Sequence, residues 1–198
     1  RLADDKLSLL LELLKGEPVV HQGRRIHATP RCLTPNGPPI LIAGGSPAAA
    51  RRAARFGLGF ISQANSPGLK DLYESECRAH GHEPGMMQFP IEGEPTTVFV
   101  ADDVDAAWAE LGPHLLHDAR TAAAYRHGDQ TVASISRADS VAALRAAAGP
   151  YRVLGMDEAI ARIRAGRSLP LLPLCGGLPP DLAWPYLERA VTATERVR

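Results

Sequence analysis

The feature that most constrains this chain is a repeated alternation of short apolar runs with helical stretches, each junction marked by a small-residue turn. Ile40-Leu41-Ile42-Ala43 is continuously apolar between Pro39 and Gly44, the pattern of a strand buried on both faces. Gly44-Gly45-Ser46-Pro47 then leads into an alanine- and arginine-rich helix, with Ser46 as N-cap and Pro47 at the first helical position. Leu58 to Ser62 reads as the next strand, and Ser66-Pro67 as the cap and first residue of a helix ending about residue 80. Thr96 to Ala101 is a third, β-branched run. Asp102 and Asp103 start a helix that continues past Trp108 toward Tyr125, with an interruption expected at Gly112-Pro113. Shorter elements follow: a helix near Ser140 to Ala148, an extended Tyr151 to Leu154 and a helix over residues 157 to 165. Leu169 to Leu174 is taken as the fourth strand despite Pro170 and Pro173, because Gly176-Gly177 and a closing helix from Pro180 to about Val197 repeat the layout. At the start, Leu7, Leu10, Leu11 and Leu14 recur at helical spacing over residues 3 to 15. Gly16 then opens a Pro- and Gly-rich connector over residues 16 to 39. Four strands alternating with helices imply parallel pairing, either in an open doubly wound sheet or in half of a closed barrel; periodicity does not choose between them.

Composition narrows the function classes. Lys+Arg and Asp+Glu balance at 22 each, which argues against nucleic acid or a membrane surface as partner, since both are met by clustered positive charge. The expected partner is a small molecule. Cys32, Cys77 and Cys175 are odd in number and widely spaced, so neither a disulfide framework nor a zinc site is suggested, and a reducing cytoplasm fits. No apolar run approaches the roughly 20 residues of a membrane-spanning helix.

Residues 38 to 62, PPILIAGGSPAAARRAARFGLGFIS, resemble the signature region of the luciferase-like monooxygenase superfamily, the flavin-dependent oxidoreductases of the luciferase-like class. Leu10 to Gly23 resembles that family's helix, its Gly-x-Pro-Val step and its approach to the signature strand. LLHDA (residues 115 to 119) and PLCGGLPPDLAWPYLE (residues 173 to 188) resemble its late helix and its final strand and helix. Order and spacing carry the likeness; no single motif is highly specific. Family members are (β/α)8 barrels longer than this chain. The resemblance therefore implies that residues 1–198 form a single partial domain, the C-terminal half of such a TIM barrel, with about four parallel strands and flanking helices. The N-terminal half would lie outside it. A half barrel would leave strands unpaired at its margins, which also points to a piece of a longer protein.

Gly44, Gly45 and Ser46 sit where a strand delivers the chain to a helix N-terminus. Free amides, the helix dipole and a hydroxyl can hold phosphate there, and glycine lets the backbone come close. Pro47 removes one donor. The same residues could simply form a tight capped turn. The resemblance favours the phosphate reading, since the corresponding turn in the family lies beside the phosphate end of flavin mononucleotide (FMN) or coenzyme F420. Ser62 ends the next strand and is a second hydroxyl candidate or a locally satisfied strand end. Gln63 and Asn65 are weaker polar candidates. Arg51, Arg52 and Arg55 lie beyond the turn and are expected on a solvated face. Gly176-Gly177 could repeat a phosphate turn, but Pro179 and Pro180 leave few amides, so a closing turn is favoured; Cys175 beside it reads as a buried thiol. His21 and His27 flank Gly23-Arg24-Arg25 in a connector from which an imidazole could assist proton transfer, but for these, as for His114 and His117, a surface or helix-end position is the favoured reading. His114 and His117 share a helix face without a third metal ligand, so no metal site is expected. Trp108 and Trp184 are expected to anchor the core.

The resemblance implies an FMN- or F420-dependent oxidoreductase or monooxygenase acting on an unknown small organic substrate, with O2 or another acceptor. Self-association into a homo-oligomer is left open. No catalytic acid or base can be assigned from these residues, since the groups bracketing the flavin ring would mostly lie upstream of Arg1. The alternative is a non-catalytic flavin-binding or structural half-barrel relative.

Overall fold

The computed structural model describes residues 2–35, 37–64, 66–91, 93–125 and 135–197. The chain divides into two compact units, one of residues 1–62 and 66–89, the other of residues 63–65 and 90–198.

In the first unit, the leucine-rich stretch forms α1 (Leu2–Leu14), followed by an antiparallel hairpin of β1 (Val19–His21) and β2 (Arg24–Ile26). The hairpin lies within the segment expected to be only a connector. β3 (Leu41–Ala43), α2 (Pro47–Arg55), β4 (Gly59–Ile61), α3 (Leu69–Ala79) and β5 (Met87–Gln88) then build a parallel sheet of order β3-β4-β5. β5 has only two residues, too few for a pattern to show. The α2 face against the core is entirely alanine, with Ala49, Ala50, Ala53 and Ala54 all buried. Short side chains let the helix axis approach its neighbours closely, and Phe60 fills the centre, stacked on Tyr73 at 5.5 Å and edge-on to Phe89 at 5.7 Å. α3 begins later than Ser66-Pro67 suggests: its N-cap is Gly68 in the left-handed region, and Ser66 contributes its carbonyl to the Leu69 amide. Asp4 of α1 holds Arg52 at 2.6 Å and Arg55 at 3.0 Å, and the Arg52 hydrogen bond first of all lowers its carboxyl to about 2.

The second unit is built on β6 (Thr97–Ala101) paired in parallel with β7 (Tyr151–Gly155), in register Thr97↔Tyr151 through Ala101↔Gly155. All five β6 residues are buried, as a strand covered on both faces requires. Phe99, Ala101, Tyr151 and Val153 pack against α4 (Val104–Tyr125), α5 (Val141–Ala146) and the start of α7 (Pro180–Glu195). Val98, Val100 and Leu154 face α6 (Met156–Arg164) and the end of α7.

Three expectations are corrected here. α4 runs unbroken through Pro113. The lost N–H leaves the Ala109 carbonyl, which sits at an exposed position where water can satisfy it. Gly112 does not break the helix either; it is buried against Val141, whose side chain occupies the space a Cβ would take. Leu169 to Leu174 is not a strand: Val98 donates one backbone hydrogen bond to the Pro170 carbonyl at 2.8 Å, but Pro170 and Pro173 have no N–H to continue a ladder. Trp108 is buried as expected, whereas Trp184 is 49% exposed, because α7 turns Ala183, Tyr186, Ala190 and Ala193 inward instead. Among the described residues the parallel strands form two sheets with flanking helices, not a closed barrel. No described helix is long and apolar enough to cross a membrane.

Glu94, just before β6, pairs with Arg162 of α6 and with Arg167 at 3.1 Å, and the Arg162 hydrogen bond holds its carboxyl below the usual range. A depressed folded-state pKa contributes stability that is present above the unfolded carboxylate range and lost as pH falls through the folded value. The melting temperature of the wild type should therefore fall more steeply between pH 6 and pH 3 than that of Glu94→Gln, which starts lower at pH 7. Gly112→Leu should lower the unfolding free energy by about 1–3 kcal/mol through overpacking, read as a urea midpoint. Gly149→Ala, at a position with nothing within 4 Å of the added methyl, should leave the midpoint nearly unchanged.

Candidate functional site

The pairing Leu41↔Gly59, Ile42↔Phe60, Ala43↔Ile61 brings β3 and β4 to their C-terminal ends together. The Gly44 amide extends the ladder by donating to the Ile61 carbonyl at 3.0 Å, so Gly44 and Ser62 leave adjacent strands at the same level. That is the edge at which open parallel sheets present their ligand-binding turns. A Cβ on Gly44 would lie 2.8 Å from the Ala49 Cβ, so only glycine lets the turn lie this close to the first turn of α2. Ser46 is extended (φ −112°, ψ 153°), and its Oγ accepts from the Ala49 amide at 3.3 Å, the N-cap expected of it. Its carbonyl accepts from the Ala49 and Ala50 amides. The amides of Gly45 and Ser46 have no hydrogen-bond partner among the described residues. Ser62 is buried, and its amide donates to the Gln88 carbonyl at 2.8 Å, tying it to the end of β5.

The structure thus gathers Gly44, Gly45, Ser46 and Ser62 at one sheet edge. Exposed main-chain donors, the positive end of the α2 dipole and a hydroxyl with one partner can accept a dianionic group there. The donor set fits a flavin phosphate in this respect: two amides without a partner among the described residues, beside a glycine and a capping hydroxyl. The nearby arginines do not join it. Arg51 pairs with Glu76 at 3.1 Å, and Arg52 and Arg55 with Asp4, which uses their charge between helices. Asn65 lies outside the described residues. His27 is exposed, and His21 has a buried Nε2 without a partner among the described residues.

In the second unit, Gly176 has φ 62° and the His114 main chain occupies the space a Cβ would take, so the position requires glycine on both counts; its carbonyl lies 3.3 Å from His114 Nδ1. Cys175 is buried at the start of this turn, and burial, then the negative charge of Asp118, pushes its thiol up to about 12. Tyr151 donates to Asp118 Oδ2 at 2.7 Å, and its phenol is raised, first by burial and then by that carboxylate. Sequence reasoning missed this pairing. Its members stand 33 positions apart, one inside a strand and one inside a helix, so no local pattern joins them. Among the described residues no cluster of His, Cys, Asp and Glu could hold a metal ion.

Parallel strands alternating with helices, with a glycine-rich, serine-capped turn after β3, define an α/β protein. The family model for luciferase-like monooxygenases matches residues 1–166, most of the chain, which therefore belongs to the luciferase-like monooxygenase family, a family of flavin-dependent oxidoreductases. Among solved structures the chain is similar to apo-MsnO8, with 21% identity and a TM-score of 0.48 over 96% of this chain and 61% of that one. The chain thus spans less than two thirds of that protein's length. No curated protein matches it.

Burial and its raised pKa make Cys175 a poor thiolate. In the folded protein at pH 8, a chromogenic disulfide reagent should modify the partly exposed Cys32 promptly, and Cys77 and Cys175 only on unfolding. Prompt labelling of Cys175 would contradict the buried-thiol reading.

Proposed function

We propose that this chain carries the phosphate-holding part of a flavin-dependent oxidoreductase or monooxygenase that acts on a small organic substrate, with O2 or another acceptor. Gly44, Gly45, Ser46 and Ser62 are the residues proposed to hold the cofactor phosphate. FMN is the first candidate and coenzyme F420 the alternative. The carrying observation is the common level at which Gly44 and Ser62 leave β3 and β4, beside the Gly45 and Ser46 amides that have no partner among the described residues.

A bound flavin supplies the redox chemistry, and the protein's part is to bind, orient and shield it. In this chain the Gly45 and Ser46 amides would donate to phosphate oxygens, while the Ser46 hydroxyl, already accepting from Ala49, would donate its own proton to the same group. Gly44 contributes by lacking a side chain. Ser62, held by β5 through its amide, would set the depth of the site.

Two substitutions at one position separate the phosphate role from the capping role. Ser46→Ala removes the cap and the hydroxyl, and should cost about 1 kcal/mol of stability and about tenfold in affinity. Ser46→Asp keeps an N-cap acceptor but sets a carboxylate against the phosphate. It should retain the wild-type melting temperature and lose saturable flavin binding. Fluorescence-quenching titrations with FMN and F420 are the readout, and preference for one names the cofactor. Unchanged binding in Ser46→Asp would sink the assignment of the phosphate to this turn. Flavin retention without substrate-linked flavin reoxidation would favour a non-catalytic binding role.

A further inference from the structure

The second unit holds an open cleft of about 630 Å³, within the usual range for small-molecule sites. One wall is the helix face carrying His117, Asp118 and Thr121, and the other is the segment 172–177. Asp118 is half-buried and, among the described residues lining the cleft, is the only Asp, Glu, Lys or Arg. Among the described residues it has no Lys or Arg partner. Its Oδ2 accepts the Tyr151 hydroxyl, which fixes the carboxylate's orientation from the protein side. A carboxylate offers about four acceptor positions; the Tyr151 hydroxyl takes one and the Cys175 thiol interacts with the same group, so the carboxylate that lines the cleft keeps acceptor capacity to spare. Across from it, Leu172 and Leu174 are 52% and 51% exposed on a segment pinned by Val98 at Pro170 and by the Cys175 turn.

Such a site disfavours phosphate, since an anion would meet an uncompensated carboxylate in partly desolvated surroundings. An ammonium group satisfies both charge and hydrogen bonding, and an aliphatic chain covers the leucines. We infer that this cleft binds a small aliphatic amine, its ammonium on Asp118 and its alkyl chain against Leu172 and Leu174, at a site distinct from the phosphate turn. The site lies beside Tyr151, the first residue of β7, at the opposite end of that strand from where α/β sheets usually hold their ligands. The hydrogen bond from Tyr151 would serve to position the carboxylate.

Calorimetric titration of the whole chain with hexylammonium chloride, hexanol and sodium hexanoate tests this at pH 8, where imidazoles are ordinarily neutral. Saturable binding of hexylammonium alone is expected. Asp118→Asn should weaken it by about tenfold or more. Thr121→Lys, at an exposed position one turn from Asp118, should abolish it by supplying an ammonium in cis while leaving the circular dichroism spectrum unchanged. No saturable binding to the wild type would overturn the inference, as would hexanol or hexanoate binding equally well, or full affinity in a folded Thr121→Lys protein. The wild-type selectivity decides even if Asp118→Asn fails to fold, and none of these readouts depends on flavin.

Discussion

Parallel pairing between strands of two to five residues is the constraint on which the rest depends. A three-residue parallel pair makes too few hydrogen bonds to fix its own register, so register must come from packing. In the first unit that role falls to Phe60, between Tyr73 and Phe89, and to the alanine face of α2. A larger residue on that face would move the helix outward and carry the Gly44–Ser46 turn with it. The candidate phosphate turn therefore depends on four buried methyl groups packed into the core.

The second unit solves the same problem by enclosure. β6 has neighbours on both faces and gains its order from core residues contributed by α4, α6 and α7. Glu94 and its two arginines fasten the entry to β6 against α6. Tyr186 adds a hydrogen bond to Glu110 and an edge-on contact with Phe99, so α7 is tied to both the sheet and α4.

Much of this was legible wherever the deciding forces are local. The Ser46 cap, the Pro47 start, the β3 and β4 strands and the Asp103 cap of α4, which accepts from the Asp105 and Ala106 amides, follow from residue types at adjacent positions. Local rules failed where tertiary context won. Pro113 is tolerated because the carbonyl it orphans, that of Ala109, sits at an exposed position, Gly112 is a packing residue, and the apolar run at 169–174 lacks donors that a strand needs. β5 was too short to see, and the leucines of α1, though helical in spacing, bury none of their number fully. The same division holds for sites: the Gly44–Ser46 turn is a contiguous motif, whereas the cleft around Asp118 joins residues brought together only by folding.

The segment at 169–174 has one more consequence. Among the described residues it meets β6 through one backbone hydrogen bond, from Val98 to the Pro170 carbonyl, with a second proline three residues on. An extended, leucine-rich stretch in that position would ordinarily invite a strand from another molecule to add on, as in amyloid growth. Two missing amide protons remove donors such a partner would need. The prolines that rule out a strand here thus also withhold two of the donors through which an added strand would pair with this half-exposed, leucine-rich stretch, the device by which gatekeeper residues blunt an edge.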